Sequence, residues 1–280
     1  MRIRSALRVS AIVVFILLVA ATYQGVSTAL ERRNFPRPGH LSDVGDHQLH
    51  IQCIGEGKPV VILEAPAAGV SVAWGWVRPQ VARVTRVCSY DRAGLGWSER
   101  SDRAYRPEQT PRELLRALEG DGEPGPYVLA GQGLGAAFIR LFASQYRDKA
   151  AALVLLDDPA DAGAAADEGV IVRVPGSWPW MARFGLLRAD RVLSRNADGL
   201  PPFERGALVA FLNRPDHLAQ AARELSREDE LMALAAASPL PDVPVTRMTV
   251  AAGRRVAFLV DKSAADRVSA AIVETVNRLR

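Results

Sequence analysis

The chain has 280 residues, 49% hydrophobic and 24% charged, a balance that supports a sizeable core and excludes an intrinsically disordered protein. Its formal net charge of +4 comes almost wholly from arginines scattered without a basic block. That leaves no electrostatic footprint for nucleic acid.

The first segment is a candidate membrane element. Arg2, Arg4 and Arg8 precede residues 9–22, which are apolar apart from Ser10. Positive charge stays cytoplasmic, so the remainder is predicted to be exported. With Tyr23 and the mildly apolar residues 25–30 the run reaches about 20 residues, the length of a span. Val19-Ala20-Ala21 offers the alternative of a signal peptide cleaved after export. A proline-bearing tether, Phe35-Pro36-Arg37-Pro38-Gly39, follows.

Residues 39–53 read as a β-hairpin around a glycine-containing turn. His47 and His50 are predicted on its exposed face, and nothing nearby completes a metal-ligand set. The unalternating apolar run 60–63 suits a parallel strand buried on both faces. Trp74, Val77 and Val81, at helical spacing, predict a helix over 74–83. Thr110 and Pro111 open a second helix running to about Leu118.

The central stretch is Tyr127-Val128-Leu129-Ala130-Gly131-Gln132-Gly133-Leu134-Gly135-Ala136. An apolar strand runs into alternating glycines and then into a small-residue helix. That plan is a nucleophile elbow, whose motif is G-x-S-x-G, and here Gly133 stands where the serine belongs. A dinucleotide fingerprint is disfavoured. Gly131, Gly133 and Ala136 come after several strands, and Asp157 is poorly placed as the acidic residue such a site needs.

Residues 151–156 form another buried strand, ending in Asp157-Asp158-Pro159. Residues 161–241 then break the β–α alternation with proline-separated helices. Pro215 starts one helix, and Ser226-Arg227-Glu228-Asp229 resembles a capping box. Trp178, Trp180, Met181 and Phe184 are candidates either for a pocket lining or for simple packing, and His217 is predicted to be exposed. Strands are predicted at 243–250 and 256–260. A terminal helix over 263–279 should bury Val268, Ile272, Val276 and Leu279. Only residues 251–255 link the last two strands. A parallel crossover needs roughly a dozen residues, so 256–260 is expected either to turn back antiparallel or to stay out of the main sheet.

Taken together, the chain resembles the α/β-hydrolase family, in particular membrane-anchored hydrolases with a G-H-S-x-G elbow after a Y-V-L strand. The resemblance runs from about Tyr23 to the end. It also covers Leu49-His50-Ile51-Gln52-Cys53-Ile54-Gly55-Glu56-Gly57, Val60-Val61-Ile62-Leu63-Glu64 and Arg86-Val87-Cys88-Ser89-Tyr90-Asp91-Arg92-Ala93-Gly94-Leu95-Gly96-Trp97-Ser98. It implies a mostly parallel α/β sheet with helices on both faces, a helical cap and a shortened C-terminal portion. The corresponding division is an anchor or signal at 1–30, core at 31–160, cap at 161–241 and core again at 242–280. Cys53 and Cys88 would lie on neighbouring strands, as a disulfide or as two small buried residues.

For chemistry, the resemblance implies Ser, an acid and His in that chain order, with two oxyanion donors. The backbone N–H groups of Ala67 and Leu134 occupy the donor positions. Gly133 has no hydroxyl, no His follows His217, and Ala251-Ala252-Gly253 replaces the usual acid. Asp157 remains a candidate acid, with Asp158 beside it. No cofactor or metal is implied. The expectation is a membrane-anchored, extracytoplasmic pseudoenzyme binding a small apolar carbonyl or ester, with the gibberellin receptor as a family precedent. The alternatives are an active ester hydrolase using groups such as Asp157 and a bound water, a secreted form after signal cleavage, and a decayed chain with no folded function.

Overall fold

The computed structural model describes residues 2–158, 176–190, 197–250 and 261–280. Helix α1, Arg2–Asn34, has 33 residues and is therefore about 50 Å long at 1.5 Å per residue. It is the one described helix long and apolar enough to cross a membrane. Its side chains from Leu7 to Val19 are exposed. The helix continues past the apolar run and docks on the rest of the protein. Gln24 Nε2 donates to the Asn213 carbonyl at 2.8 Å, Glu31 pairs with Arg188, and Trp97 Nε1 donates to the Phe35 carbonyl at 3.2 Å. The chain therefore leaves α1 through a fastened helix end, with the proline-bearing segment only after it.

Seven strands form one sheet: β1 His40–Asp43, β2 Gln48–Ile54, β3 Val60–Glu64, β4 Val87–Tyr90, β5 Tyr127–Gln132, β6 Ala150–Leu156 and β7 Val245–Met248, in the order β1-β2-β4-β3-β5-β6-β7. The β1–β2 and β2–β4 pairs are antiparallel, and the remaining pairs are parallel. Every residue of β3 and β5 is buried, as their uninterrupted apolar character requires of strands covered on both faces.

The period of two sorts the strand residues between two cores. Val60, Ile62 and Leu129 face α3 (Thr110–Gly120) and α4 (Leu134–Gln145). Val61, Leu63 and Val128 face α2 (Arg78–Val81) and α10 (Lys262–Arg278). Val268, Ile272 and Val276 of α10 are fully buried, whereas Leu279, just past the helix end, is 37% exposed.

Three local expectations change. The helix over 74–83 is a 3-10 turn at Ser71–Trp74 followed by the single turn α2. Pro79 lacks an N–H, so it opens a helix but cannot extend the turn before it. Trp74, Val77 and Val81 are nonetheless buried. At 226–229 no capping box forms, because Ser226 Oγ donates to the Arg223 carbonyl, and α9 (Glu228–Ala237) has no side-chain N-cap bond. The strand at 243–250 is ordered as β7 over four residues, parallel to β6. The expected strand at 256–260 lies outside the described residues.

Between β6 and β7 the described chain is helical: α5 Trp178–Arg183, α6 Leu186–Asp190, α7 Pro202–Leu212, α8 Pro215–Leu225 and α9. A separate apolar cluster including Leu187, Leu208, Phe211, Leu212 and Leu218 joins these helices to Val70, Val72 and Leu95 of the loops after β3 and β4. Trp178 and Met181 pack on that cluster, but Trp180 is 65% exposed. Cys53 and Cys88 face each other across the β2–β4 pair and are joined by a disulfide.

Candidate active-site region

The turn between β5 and α4 is built on glycines at the positions where it needs them. A Cβ at Gly131 would lie 2.6 Å from the Gly135 carbonyl oxygen. A Cβ at Gly135 would lie 2.6 Å from the carbonyl oxygens of both Glu64 and Ala65. Strand, helix and the end of β3 pack too closely for side chains there. Gly133 differs, because a Cβ built on it would meet open space. Its backbone has φ +54° and ψ −118°, a region that residues with a Cβ adopt only at a cost. The turn is held by Gly133 N–H donating to the Leu156 carbonyl at 2.9 Å and by Ala136 N–H donating to Gly133 at 2.9 Å.

Leu134 is the first residue of α4, where backbone N–H groups have no intrahelical acceptor and the helix dipole favours negative charge. Ala67 lies in the loop after β3, within a turn closed by Gly69 N–H donating to the Pro66 carbonyl at 2.9 Å. Both residues join one small apolar cluster with Phe138, Leu231 and Met232, so the fold brings these two positions together.

A buried charge network missed in the sequence pins that loop. Arg92 donates to the Ala65 and Pro66 carbonyls at 2.8 and 3.0 Å, to Glu64 at 2.6 Å, and to both Glu224 oxygens at 2.7 and 2.9 Å. Tyr90 OH donates to the other Glu64 oxygen, and the guanidinium lies 5.0 Å from the centre of the Phe138 ring. Burial pushes the Glu64 carboxyl up to about 7, against the pull of Arg92 and Tyr90. Glu64 and Arg92 sit inside strings that the sequence singles out. Glu224 carries no such signal, because its partner is 132 residues away.

Asp157 has φ +48° and directly follows β6. Its Oδ1 accepts from Val250 N–H at 2.7 Å and its Oδ2 from Gln132 Nε2 at 3.1 Å. It thus ties the residue before Gly133 to the segment after β7. Asp158 is buried and accepts from Arg140 at 3.0 Å.

The four histidines sit with other partners. His40 pairs with Asp121 at 2.9 Å. The predicted exposure of His47 and His50 is overturned, since they are 4% and 0% exposed. His50 Nδ1 lies 2.9 Å from Asp91 Oδ2, within a loop held by the Ser71 and Trp97 N–H groups donating to Asp91. Burial opposes ionisation of Asp91, but His50 and those N–H groups outweigh it and hold the carboxyl below its usual range.

His217 is also buried, not exposed. Its Nδ1 accepts from Gly96 N–H at 3.3 Å. Burial, helped by the Arg214 charge, pushes its pKa down to about 4 against the pull of Asp216, Asp91 and the Ala68 carbonyl. The buried face of α8 is His217, Leu218, Gln220, Ala221 and Glu224. Three of these are polar residues that a hydropathy pattern assigns to water.

A mostly parallel sheet in this order, with a glycine-flanked turn from β5 into α4, defines the α/β-hydrolase fold, and the chain has that fold. The comparisons with known proteins agree. A haloalkane dehalogenase loop variant, DbeA-M1 from Bradyrhizobium elkanii, superposes with a TM-score of 0.60 at 17% identity, covering 86% of this chain and 96% of that one. An ancestral haloalkane dehalogenase gives 0.60 at 18% identity, covering 86% and 99%. The epoxide hydrolase CorEH gives 0.57 at 17% identity, covering 75% and 81%. At such identities the likeness concerns the fold alone.

No protein-family model matches the chain. An uncharacterised protein of Schizosaccharomyces pombe is 25% identical over 170 residues, which are 50% of this chain and 30% of that protein. A probable transporter of Hormonema carpetanum is 27% identical over 111 residues, 36% of this chain and 15% of that protein. The chain thus spans less than a third of the length of these curated relatives.

Proposed function

We propose that this chain is a membrane-anchored, non-catalytic α/β-hydrolase-fold protein that binds a small carbonyl- or ester-like ligand. The observation that carries the reading is Gly133: the turn keeps the backbone of a nucleophile elbow, with open space where the side chain would stand and no hydroxyl to fill it. The convergence of Ala67 and Leu134 supports a pair of oxyanion-type N–H donors, which need no particular side chain. In this reading Asp157 acts as a brace between Gln132 and Val250, and α5–α9 form a cap over the sheet's carboxyl edge, where this fold class keeps its ligands.

The anchor is α1. Its orientation is not set by arginine counting, because Arg2, Arg4 and Arg8 before the apolar stretch are balanced by Arg32, Arg33 and Arg37 after it. The Cys53–Cys88 disulfide supports an extracytoplasmic main domain, since such bonds persist in oxidising compartments.

The test uses the detergent-solubilised full chain. A serine-reactive fluorophosphonate should leave it unlabelled, p-nitrophenyl esters should not turn over, and a library of esters and carboxylic acids should contain members that raise its melting temperature. Ester turnover would establish the active-hydrolase alternative. The absence of a cooperative melt would indicate a decayed chain.

A further inference from the structure

Where α1 emerges from its apolar stretch, a cavity of about 250 Å³ opens between its last turns, the 96–98 loop and α7. Its lining includes Thr28, Arg32, Arg37, Trp97, Phe211 and Arg214. One side is aromatic, with the Trp97 and Phe211 rings meeting edge-on at 4.7 Å. The rim is basic. Arg32 and Arg37 are exposed and have no acidic partner among the described residues. Glu31, the carboxylate at the rim, is held by Arg188, and Arg214 is held by Asp216 and the Gly96 carbonyl. Two exposed cations are therefore left at the rim of a cavity with one aromatic side, at the predicted membrane boundary.

The face of α1 that carries Thr28 continues at helical steps through Gly25, Ala21, Leu18 and Val14. Nothing lies within 4 Å of a Cβ built on Gly25, and Leu18 and Val14 are 61% and 54% exposed. An apolar strip thus runs from the cavity along the helix.

We propose that this cavity binds the phosphodiester headgroup of an anionic membrane phospholipid, with an acyl chain along the Gly25–Val14 strip of α1. Arg32 and Arg37 supply the charge complement, and the half-buried Trp97 indole suits the glycerol region, since tryptophan favours the membrane boundary. A free anion would have no use for the apolar strip. The proposal rests on the anchor reading of α1, not on the pseudoenzyme reading.

The test titrates short-chain phosphatidylglycerol, phosphatidylcholine or inorganic phosphate into the detergent-solubilised full chain and follows the melting temperature. Phosphatidylglycerol should raise it saturably, and the other two should not. The Arg32→Gln/Arg37→Gln variant should melt like the parent without lipid and lose about thirtyfold in apparent affinity for phosphatidylglycerol, each arginine near an anionic headgroup contributing about fivefold. Arg37→Gln alone, which lies outside every helix, should lose about fivefold. Equal stabilisation by phosphatidylcholine or by inorganic phosphate overturns the proposal, as does unchanged affinity in both variants. Carbonate extraction of membranes separates the two readings. A chain released to the soluble fraction removes the anchor and the proposal together, whereas a retained chain without phosphatidylglycerol preference removes the proposal alone.

Discussion

Gln132 Nε2 donates to Asp157 Oδ2 at 3.1 Å, so the residue just before Gly133 is braced by the carboxylate that directly follows β6. The same carboxylate holds Val250 N–H at 2.7 Å. A group that sequence order offers as a catalytic acid is thereby engaged in fixing the turn and the end of β7 to one another.

Gly133→Ser should not create an esterase. The new hydroxyl would have space, but a serine needs a base to take its proton, and the contacts of His40, His47, His50 and His217 lie with Asp121, Glu113, Asp91 and Gly96, not with the β5–α4 turn. The cost should be backbone strain alone, about 1–3 kcal/mol at this positive φ. Chemical denaturation and p-nitrophenyl ester assays of the parent and variant check both parts. Turnover well above the parent would show that a base has been overlooked.

Gly135→Ala should be worse than Gly133→Ala. At Gly135 the added methyl meets two backbone oxygens at 2.6 Å, which can yield only if α4 and the end of β3 move apart. Overpacking of this kind costs about 1–3 kcal/mol and occasionally more. The measurement is the difference between the two variants' denaturation midpoints, and an equal or reversed order would contradict the packing argument.

Arg92→Gln should destabilise by about 3–5 kcal/mol, because it leaves Glu64 and Glu224 buried without their cation. Adding Glu64→Gln and Glu224→Gln to that variant should recover a large part of the loss. Urea melts of the single and triple variants provide the comparison. A triple variant less stable than Arg92→Gln would mean that the carboxylates are stabilised by something besides Arg92.

His217 sets an acid limb of stability. Its folded pKa of about 4 lies below its ordinary value of 6.5, so the unfolded chain binds the extra proton first. The His217 contribution should therefore be full above pH 6.5 and fall as pH drops from 6.5 toward 4, by on the order of 3 kcal/mol over that window. Glu64 acts in the opposite sense. Its carboxyl, raised from 4.5 to about 7, favours the folded state below pH 4.5, and that contribution is lost as pH rises through 7. His217→Gln should flatten the acid limb in pH-dependent urea melts while leaving the Glu64 limb in place. An acid limb unchanged in the variant would assign it to another group.

Much of the frame was legible in the linear sequence because it follows from local rules. Unalternating apolar runs became β3, β5 and β6, the glycine spacing at 131–135 became the strand–turn–helix, and the Val268, Ile272, Val276 period became the buried face of α10. Backbone geometry at a glycine turn depends on a handful of adjacent residues, so its motif is readable in the sequence without any distant partner.

What only the tertiary structure decided is where the polar residues went. His50, His217 and Glu224 resemble surface residues in any hydropathy pattern, yet each is buried, because Asp91, Gly96 and Arg92 meet them from distant parts of the chain. Burying a polar group costs free energy unless a partner satisfies it, and the partners of His217 Nδ1 and Glu224 lie more than 100 residues away. The docking of the end of α1 through Gln24, Glu31 and Phe35 was hidden for the same reason. Apolar burial is written in periodicity along one element, whereas polar burial depends on which elements the fold brings side by side.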